Sequence, residues 1–196
     1  MSLTTFKLID KHIDLLDSYK LYLNTQEPSK QEHHFASAPL TYLNRDHWSF
    51  DMPPHKAIDR LVYLYPRTDE YDPLLCELAK TLFESRVPEL KNKDFEVTRT
   101  GTHYYPPKGW MGWHTNADQN YWTLYITYTS QEGTSFFRYY DKDTDTIKTS
   151  YDGEGITCRI FKINQEKNNL FTHCVYTDVD RWSFGFQVKN KQGNKQ

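Results

Sequence analysis

The spacing of apolar and polar residues changes part-way along this chain. Over residues 5–23, Phe6, Ile9, Ile13, Leu16, Tyr19 and Leu23 recur at helical intervals among charged neighbours, which predicts an amphipathic helix. Residues 25–55 are polar and broken by proline, and read as a long loop. A second helix is expected over 72 to about 86. Asp72 is placed as its capping residue and Pro73 at its first helical position, with Leu74, Leu75, Leu78, Leu82 and Phe83 along one face.

After Pro88 the period shortens to two. Short β-rich runs follow at 95–105, 110–116, 121–129, 134–141, 146–151, 156–163, 171–177 and 181–188. They are separated by Gly, Asp and Asn at a spacing of about ten residues, the mark of a sandwich or barrel. The last run sorts its side chains cleanly. Trp182, Phe184, Phe186 and Val188 share one face, while Arg181, Ser183, Gly185 and Gln187 share the other. The first face suits a core and the second a ligand-lined interior. The closing KNKQGNKQ, residues 189–196, reads as a polar tail.

Composition narrows the partners. The 196 residues include 24 Lys+Arg against 26 Asp+Glu, a net charge of −2 that offers nucleic acid no long-range attraction. Mean hydropathy is −0.83. The longest apolar stretch, residues 61–65, falls far short of the roughly 20 residues a bilayer needs, so no membrane partner is expected. Yet 11 Phe, 5 Trp and 15 Tyr argue against disorder and towards strands. Cys76, Cys158 and Cys174 are odd in number, scattered and without a CxxC, which fits reduced thiols. The N-terminal MSLTTFKLIDKHIDLLDSYK is charged throughout and reads as no export signal. A cytoplasmic protein of one domain is expected over 1–188. In it, residues 1–94 form a helical and loop support for a β core at 95–188.

Three pieces carry candidate chemistry. GWMGWHTNAD (109–118) puts His114 and Asn116 two apart on a strand and so on one face. His173 lies on the penultimate run, and Arg181-Trp182-Ser183 opens the last. Two distant histidines plus a side-chain oxygen two residues after the first can occupy one face of an octahedral metal. Three positions remain for a bidentate small acid and for O2. Arg181, with the Ser183 hydroxyl beside it, can hold the far carboxylate of such an acid. Arg159 competes for that role, and Arg138 more weakly.

With these pieces in order, the chain resembles the iron(II)- and 2-oxoglutarate-dependent oxygenases, in particular their prolyl-4-hydroxylase-like branch. The resemblance spans roughly 95–188. It rests on Tyr105-Pro106, His114-Thr115-Asn116, TLYITYT (123–129), EGTSFFRYYD (132–141), EGITCRIFKI (154–163), His173 and Arg181-Trp182-Ser183. It implies a mainly β fold, a double-stranded β-helix (a cupin-like jelly-roll) with N-terminal helices buttressing one face. It implies Fe(II) and 2-oxoglutarate as cofactors, with ascorbate as an auxiliary reductant. The activity implied is hydroxylation of a peptide, protein or small-metabolite substrate by O2, coupled to decarboxylation of 2-oxoglutarate to succinate. The implied metal ligands are His114, His173 and the residue at 116. For 2-oxoglutarate the implied contacts are Arg181, Ser183, Tyr128 and Tyr105.

Asn116 departs from that family, which has a carboxylate there. Three arrangements are open. The Asn116 amide oxygen ligates, Asp118 reaches the metal from the following turn, or the two histidines hold it with water. A catalytically degenerate jelly-roll that binds a small acid or a metal is the alternative reading, and a metal-free β-sandwich is a third. Trp110 and Trp113 flank the metal strand as candidates for the substrate mouth, with outer-face packing favoured for Trp113. The stretch from Asp141 to Asp152 superficially copies a calcium loop but lacks its sixth-position glycine and final Glu, and reads as a polar hairpin turn. His33 and His34 are placed in an exposed loop. Substrate specificity is expected from residues 25–55 and 104–113.

Overall fold

A computed structural model describes residues 3–8, 10–33, 60–116, 121–163 and 171–189. In chain order its elements are β1 (Thr4–Phe6), α1 (Asp10–Leu23), β2 (Lys30–His33), β3 (Arg60–Tyr65), α2 (Tyr71–Arg86), a 3-10 turn (Pro88–Leu90), β4 (Glu96–Tyr105), β5 (Trp110–His114), β6 (Trp122–Thr129), β7 (Ser135–Asp141), β8 (Thr146–Tyr151), β9 (Gly155–Lys162), β10 (His173–Thr177) and β11 (Arg181–Lys189).

Every described strand pairing is antiparallel. The ladder order is β1-β9-β6-β11-β4-β3-β5-β10-β7-β8, with β2 added on β3. Within it β4 to β11 make two four-stranded sheets, β9-β6-β11-β4 and β5-β10-β7-β8, the strand order of a jelly-roll. β3 joins them: residues 63–65 pair with β4, and Arg60 and Leu61 pair with β5.

The two faces of β11 divide as its alternation predicts. Phe184, Phe186 and Trp182 pack outwards against both helices, in one buried cluster with Leu16, Tyr19 and Leu23 of α1 and Leu75, Leu78, Ala79, Leu82 and Phe83 of α2. Removing one such ring, as in Phe184→Ala, costs about 3–5 kcal/mol. A second cluster lies between the sheets and includes Val62, Phe137, Phe161, Phe171 and Val175. Tyr105, Met111 and Val175 belong to it and also line a cavity between the sheets.

Several sequence expectations are corrected. The N-terminal helix does not begin at residue 5. Thr4, Thr5 and Phe6 instead pair with Ile160, Arg159 and Cys158, covering the edge of β9. α2 begins at Tyr71 with Glu70 as its N-cap and no side-chain cap bond. Asp72 is therefore inside the first turn, and its carboxylate accepts from Arg99 Nη1 at 2.5 Å. Pro73 moves to the third helical position, still within the first turn, where a missing N–H is tolerated. Leu74 is 54% exposed and leaves the core face. Residues 25–55 are not all loop: KQEH forms β2, whose polarity hides it from a periodicity reading. Residues 60–65, unassigned by that reading, are β3. His33 ends β2, while His34 and Ile9 lie outside the described residues, as does the tail beyond Lys189. The stretch after Asp141 is the turn of the β7–β8 hairpin. Asp143 N–H donates there to Asp141 Oδ1 at 3.1 Å, and Asp145 adopts φ 51°.

Candidate functional site

A cavity of about 510 Å³ opens between the two sheets. The first sheet supplies one wall through the inward positions of β11, Arg181, Ser183 and Gly185, beside His103 and Tyr105 of β4 and Tyr125 of β6. Register sets these side chains in cross-strand rows: Tyr105–Arg181–Thr129, His103–Ser183–Thr127 and Gly101–Gly185–Tyr125. The last row is kept low by its glycines. A Cβ on Gly185 would collide with Thr100 Oγ1 and stand 3.3 Å from the Tyr125 ring. The second sheet supplies the facing wall through Met111 and His114 of β5 and His173 and Val175 of β10, with Asn116 just beyond β5.

His114 and His173 are cross-strand partners, both buried, with ring centroids 4.0 Å apart. The Nδ1 of His114 lies 2.8 Å from the Gly112 carbonyl oxygen, and that of His173 lies 3.2 Å from the Phe171 carbonyl oxygen. A carbonyl can only accept, so in the neutral ring Nδ1 carries the hydrogen and Nε2 carries the lone pair. This is the backbone restraint that metal-binding imidazoles use. Phe137 stacks on His173 at 4.9 Å and 25°, fixing that ring further.

Asn116 stands at the same cavity, with Nδ2 donating to the Tyr125 hydroxyl at 3.4 Å. Burial pushes that hydroxyl up to about 12 against the opposing effects of Asn116 and Arg181, so it stays neutral and keeps its proton. Among the described residues no group of three His, Cys, Asp or Glu forms a metal cluster. Asp118 lies outside them. Two imidazoles with basic Nε2 atoms and an amide oxygen make a neutral, borderline donor set. It fits a divalent first-row metal, with weaker charge compensation than a carboxylate would give.

Arg181 reaches the cavity from a buried position. Its Nε donates to Asp152 Oδ2 at 2.9 Å, and its Nη1 has no hydrogen-bond partner. Its competitors do not converge on the cavity. Arg159 is spent on Asp152, Ser150 and Tyr151, and Arg138 donates to Thr149 Oγ1 beyond the second sheet. Burial raises the Asp152 carboxyl, but the charges of Arg181 and Arg159 with the Ser135 hydrogen bond outweigh it and hold the group well below the ordinary carboxylate range.

The tyrosines divide. Tyr105 lines the cavity, its ring 5.2 Å from the Arg181 guanidinium carbon. Tyr128 does not. It shares the outward face of β6 with Leu124 and Ile126, and Lys20 of α1 sits 3.3 Å from its ring centroid. Tyr125 takes the inward place. The alternation Thr123, Tyr125, Thr127, Thr129 against Leu124, Ile126, Tyr128 is the signal that finds it. Trp110 is corrected as a mouth residue, and Trp113 takes the outer-face packing favoured for it: both are buried with Phe136, Cys174 and Tyr176 on the far face of the second sheet. A register shift between His173 and Val175 puts the two tryptophans on one face despite their odd spacing. Of the segments expected to set specificity, Lys30, Tyr105 and Met111 border the cavity, and residues 34–59 lie outside the described residues.

Neither a family model nor a curated protein sequence matches the chain. Solved structures do. An oxidoreductase of the 2OG-Fe(II) oxygenase family from Burkholderia pseudomallei aligns with a TM-score of 0.60 at 10% identity, over 95% of this chain and 85% of that one. A viral collagen prolyl hydroxylase from Paramecium Bursaria Chlorella virus-1, solved with 2OG, aligns over 95% and 94% at a TM-score of 0.49 and 13% identity. A Pseudomonas putida prolyl-4-hydroxylase aligns over 90% and 99% at 0.45 and 16%. The first likeness establishes that this chain has the fold of the 2OG-Fe(II) oxygenases.

Proposed function

We propose that this protein is an Fe(II)- and 2-oxoglutarate-dependent oxygenase that hydroxylates a peptide, protein or small metabolite. One observation carries the reading. A backbone-braced histidine pair and a buried arginine with an unpartnered Nη1 open onto one cavity from facing sheets. His114 and His173 hold the metal through Nε2, with the Asn116 amide oxygen as the third protein donor. Arg181 and Ser183 hold the distal carboxylate of 2-oxoglutarate, and Tyr105 and Tyr125 border it.

When bound, Fe(II) with 2-oxoglutarate supplies the oxidising chemistry, splitting O2 while the acid is decarboxylated to succinate and CO2. The chain's own contribution is placement and exclusion of water. The Gly112 and Phe171 carbonyls keep each Nδ1 protonated and so present Nε2. Tyr125 holds the Asn116 amino group and thereby turns its oxygen the other way. The aromatic cluster of Phe137, Phe161 and Phe171 packs against His173 and shields that ring from water.

The neutral donor set at Asn116 favours a second reading, a small-acid-binding module without turnover. Succinate release under O2 separates the two. The purified protein is supplied with Fe(II) and 2-oxoglutarate, with the Asn116→Asp variant alongside. Succinate from the wild-type chain supports the oxygenase. Succinate from the Asp variant alone supports the binding module.

A further inference from the structure

Behind the acid-binding end of the cavity, three buried charges do not balance. Asp152 sits between β8 and β9, its N–H donating to the Ser135 carbonyl at 2.9 Å and its carbonyl accepting from Gly133 N–H at 3.1 Å. Its Oδ1 accepts from Arg159 Nη1 at 2.5 Å and Thr127 Oγ1 at 3.0 Å. Its Oδ2 accepts from Arg181 Nε at 2.9 Å and Ser135 Oγ at 2.5 Å. The side chains of Asp152, Arg159 and Arg181 are 1%, 0% and 1% exposed. Two buried guanidinium cations therefore share one buried carboxylate.

The two arginines are satisfied differently. Arg159 also donates from Nε to Ser150 Oγ at 3.0 Å, and from Nη2 to the Ser150 and Tyr151 carbonyls at 2.9 and 3.1 Å. Arg181 is pinned at Nε, and its Nη1 is buried without a partner. A buried charge without a counter-charge and a buried donor without an acceptor both destabilise a fold. A carboxylate arriving from the cavity relieves both at once.

We propose that Asp152 and Arg159 are positioning residues that aim the Nη edge of Arg181 into the cavity and keep one positive charge there unbalanced for the distal carboxylate of a 2-oxo diacid. The proposal rests on the reading of the cavity as a 2-oxo acid site. Asp152 holds Nε, which leaves Nη1, without a partner, as the donor for an arriving carboxylate. Arg159 occupies the other oxygen of Asp152, so Asp152 orients Arg181 without neutralising it. Without Arg159, Asp152 and Arg181 would close into a neutral pair with little pull on an anion.

The test is titration calorimetry on the full chain loaded with Mn(II), a redox-silent probe. The two ligands are 2-oxoglutarate and 2-oxopentanoate, which has a methyl group in place of the distal carboxylate. The wild-type chain is expected to prefer 2-oxoglutarate by about 100-fold, the scale of a buried charge-assisted contact. Arg159→Met leaves a neutral Asp152–Arg181 pair and so keeps the buried charge compensated. It should cut the preference to about 10-fold or less while 2-oxopentanoate binds as before. Asp152→Asn should collapse the preference as well, and Asp152→Glu should restore part of it. Because Asp152→Asn leaves two cations without a counter-charge and is at risk of not folding, Arg159→Met decides. A wild-type preference retained in Arg159→Met overturns the proposal while leaving Arg181 as the acid anchor. A parallel loss of both affinities also overturns it, because general damage to the fold acts in that way. Equal affinity of the wild-type chain for the two acids overturns the anchor itself, and the proposal with it.

Discussion

His114 and His173 face each other directly across the β5–β10 ladder, with ring centroids 4.0 Å apart. Each is two residues beyond the carbonyl that receives its Nδ1 hydrogen: Gly112 for His114, Phe171 for His173. The same local device thus prepares both rings, and neither needs a carboxylate to set its tautomer.

Replacing either histidine with alanine should therefore lower Fe(II) affinity by more than the roughly 10–100-fold that loss of an outer-shell partner costs. Anaerobic metal titration followed by calorimetry is the measurement. Affinity within a few-fold of wild type for either variant would remove that residue from the metal centre.

Asn116→Asp should raise metal affinity by about tenfold or more, because a charged oxygen replaces a neutral one beside a dication in a buried site. A competition titration against a chelator reads this. An unchanged constant would mean that residue 116 does not face the metal.

Tyr125 and Tyr128 should respond differently to loss of their hydroxyls. Tyr125→Phe releases the Asn116 amide and should weaken metal binding by about tenfold, as outer-shell losses do. Tyr128→Phe keeps the ring that Lys20 covers and should change stability by no more than about 0.5 kcal/mol and acid binding not at all. Equal effects in the 2-oxoglutarate and metal titrations would contradict the placement of the two rings.

Stability should fall as acid is added. The folded Asp152 carboxyl lies below its unfolded value, so its contribution is complete above the ordinary carboxylate pKa of about 4 and drains away as pH drops below it towards the folded value. Asp141 beside Lys148 and Asp178 beside Lys108 shift in the same direction. Their lysines are 44% and 71% exposed, so about 1 M salt should screen those pairs and leave the Asp152 effect in place. Urea midpoints between pH 7 and pH 3 at high salt check this. A flat profile would exclude Asp152 as the source.

Much of this architecture is legible locally. The alternation along β11 separates helix-facing Trp182, Phe184 and Phe186 from inward Arg181 and Ser183 because a strand's period is fixed by its pleat. The same rule assigns Tyr125 inwards, and selecting Tyr128 by its place in a motif overrides it. Other features escape for identifiable reasons. β2 is wholly polar. Trp110 and Trp113 share a face only because the ladder slips beside His173. Asp72 leaves the cap position for Arg99, a contact with a distant strand. Asp152 falls in a turn-rich stretch, and its meaning depends on Arg159 and Arg181, which only the closed sandwich brings to it.

β3 pairs along one half with β5 and along the other with β4, so it ties the sheet bearing the histidines to the sheet bearing Arg181. The two ends of any ligand that touches both walls are then set apart by a continuous run of backbone hydrogen bonds. On the proposed reading, that seam sets the span a diacid has to bridge, so selection by chain length would reside in a strand rather than in the residues that grip the acid's ends.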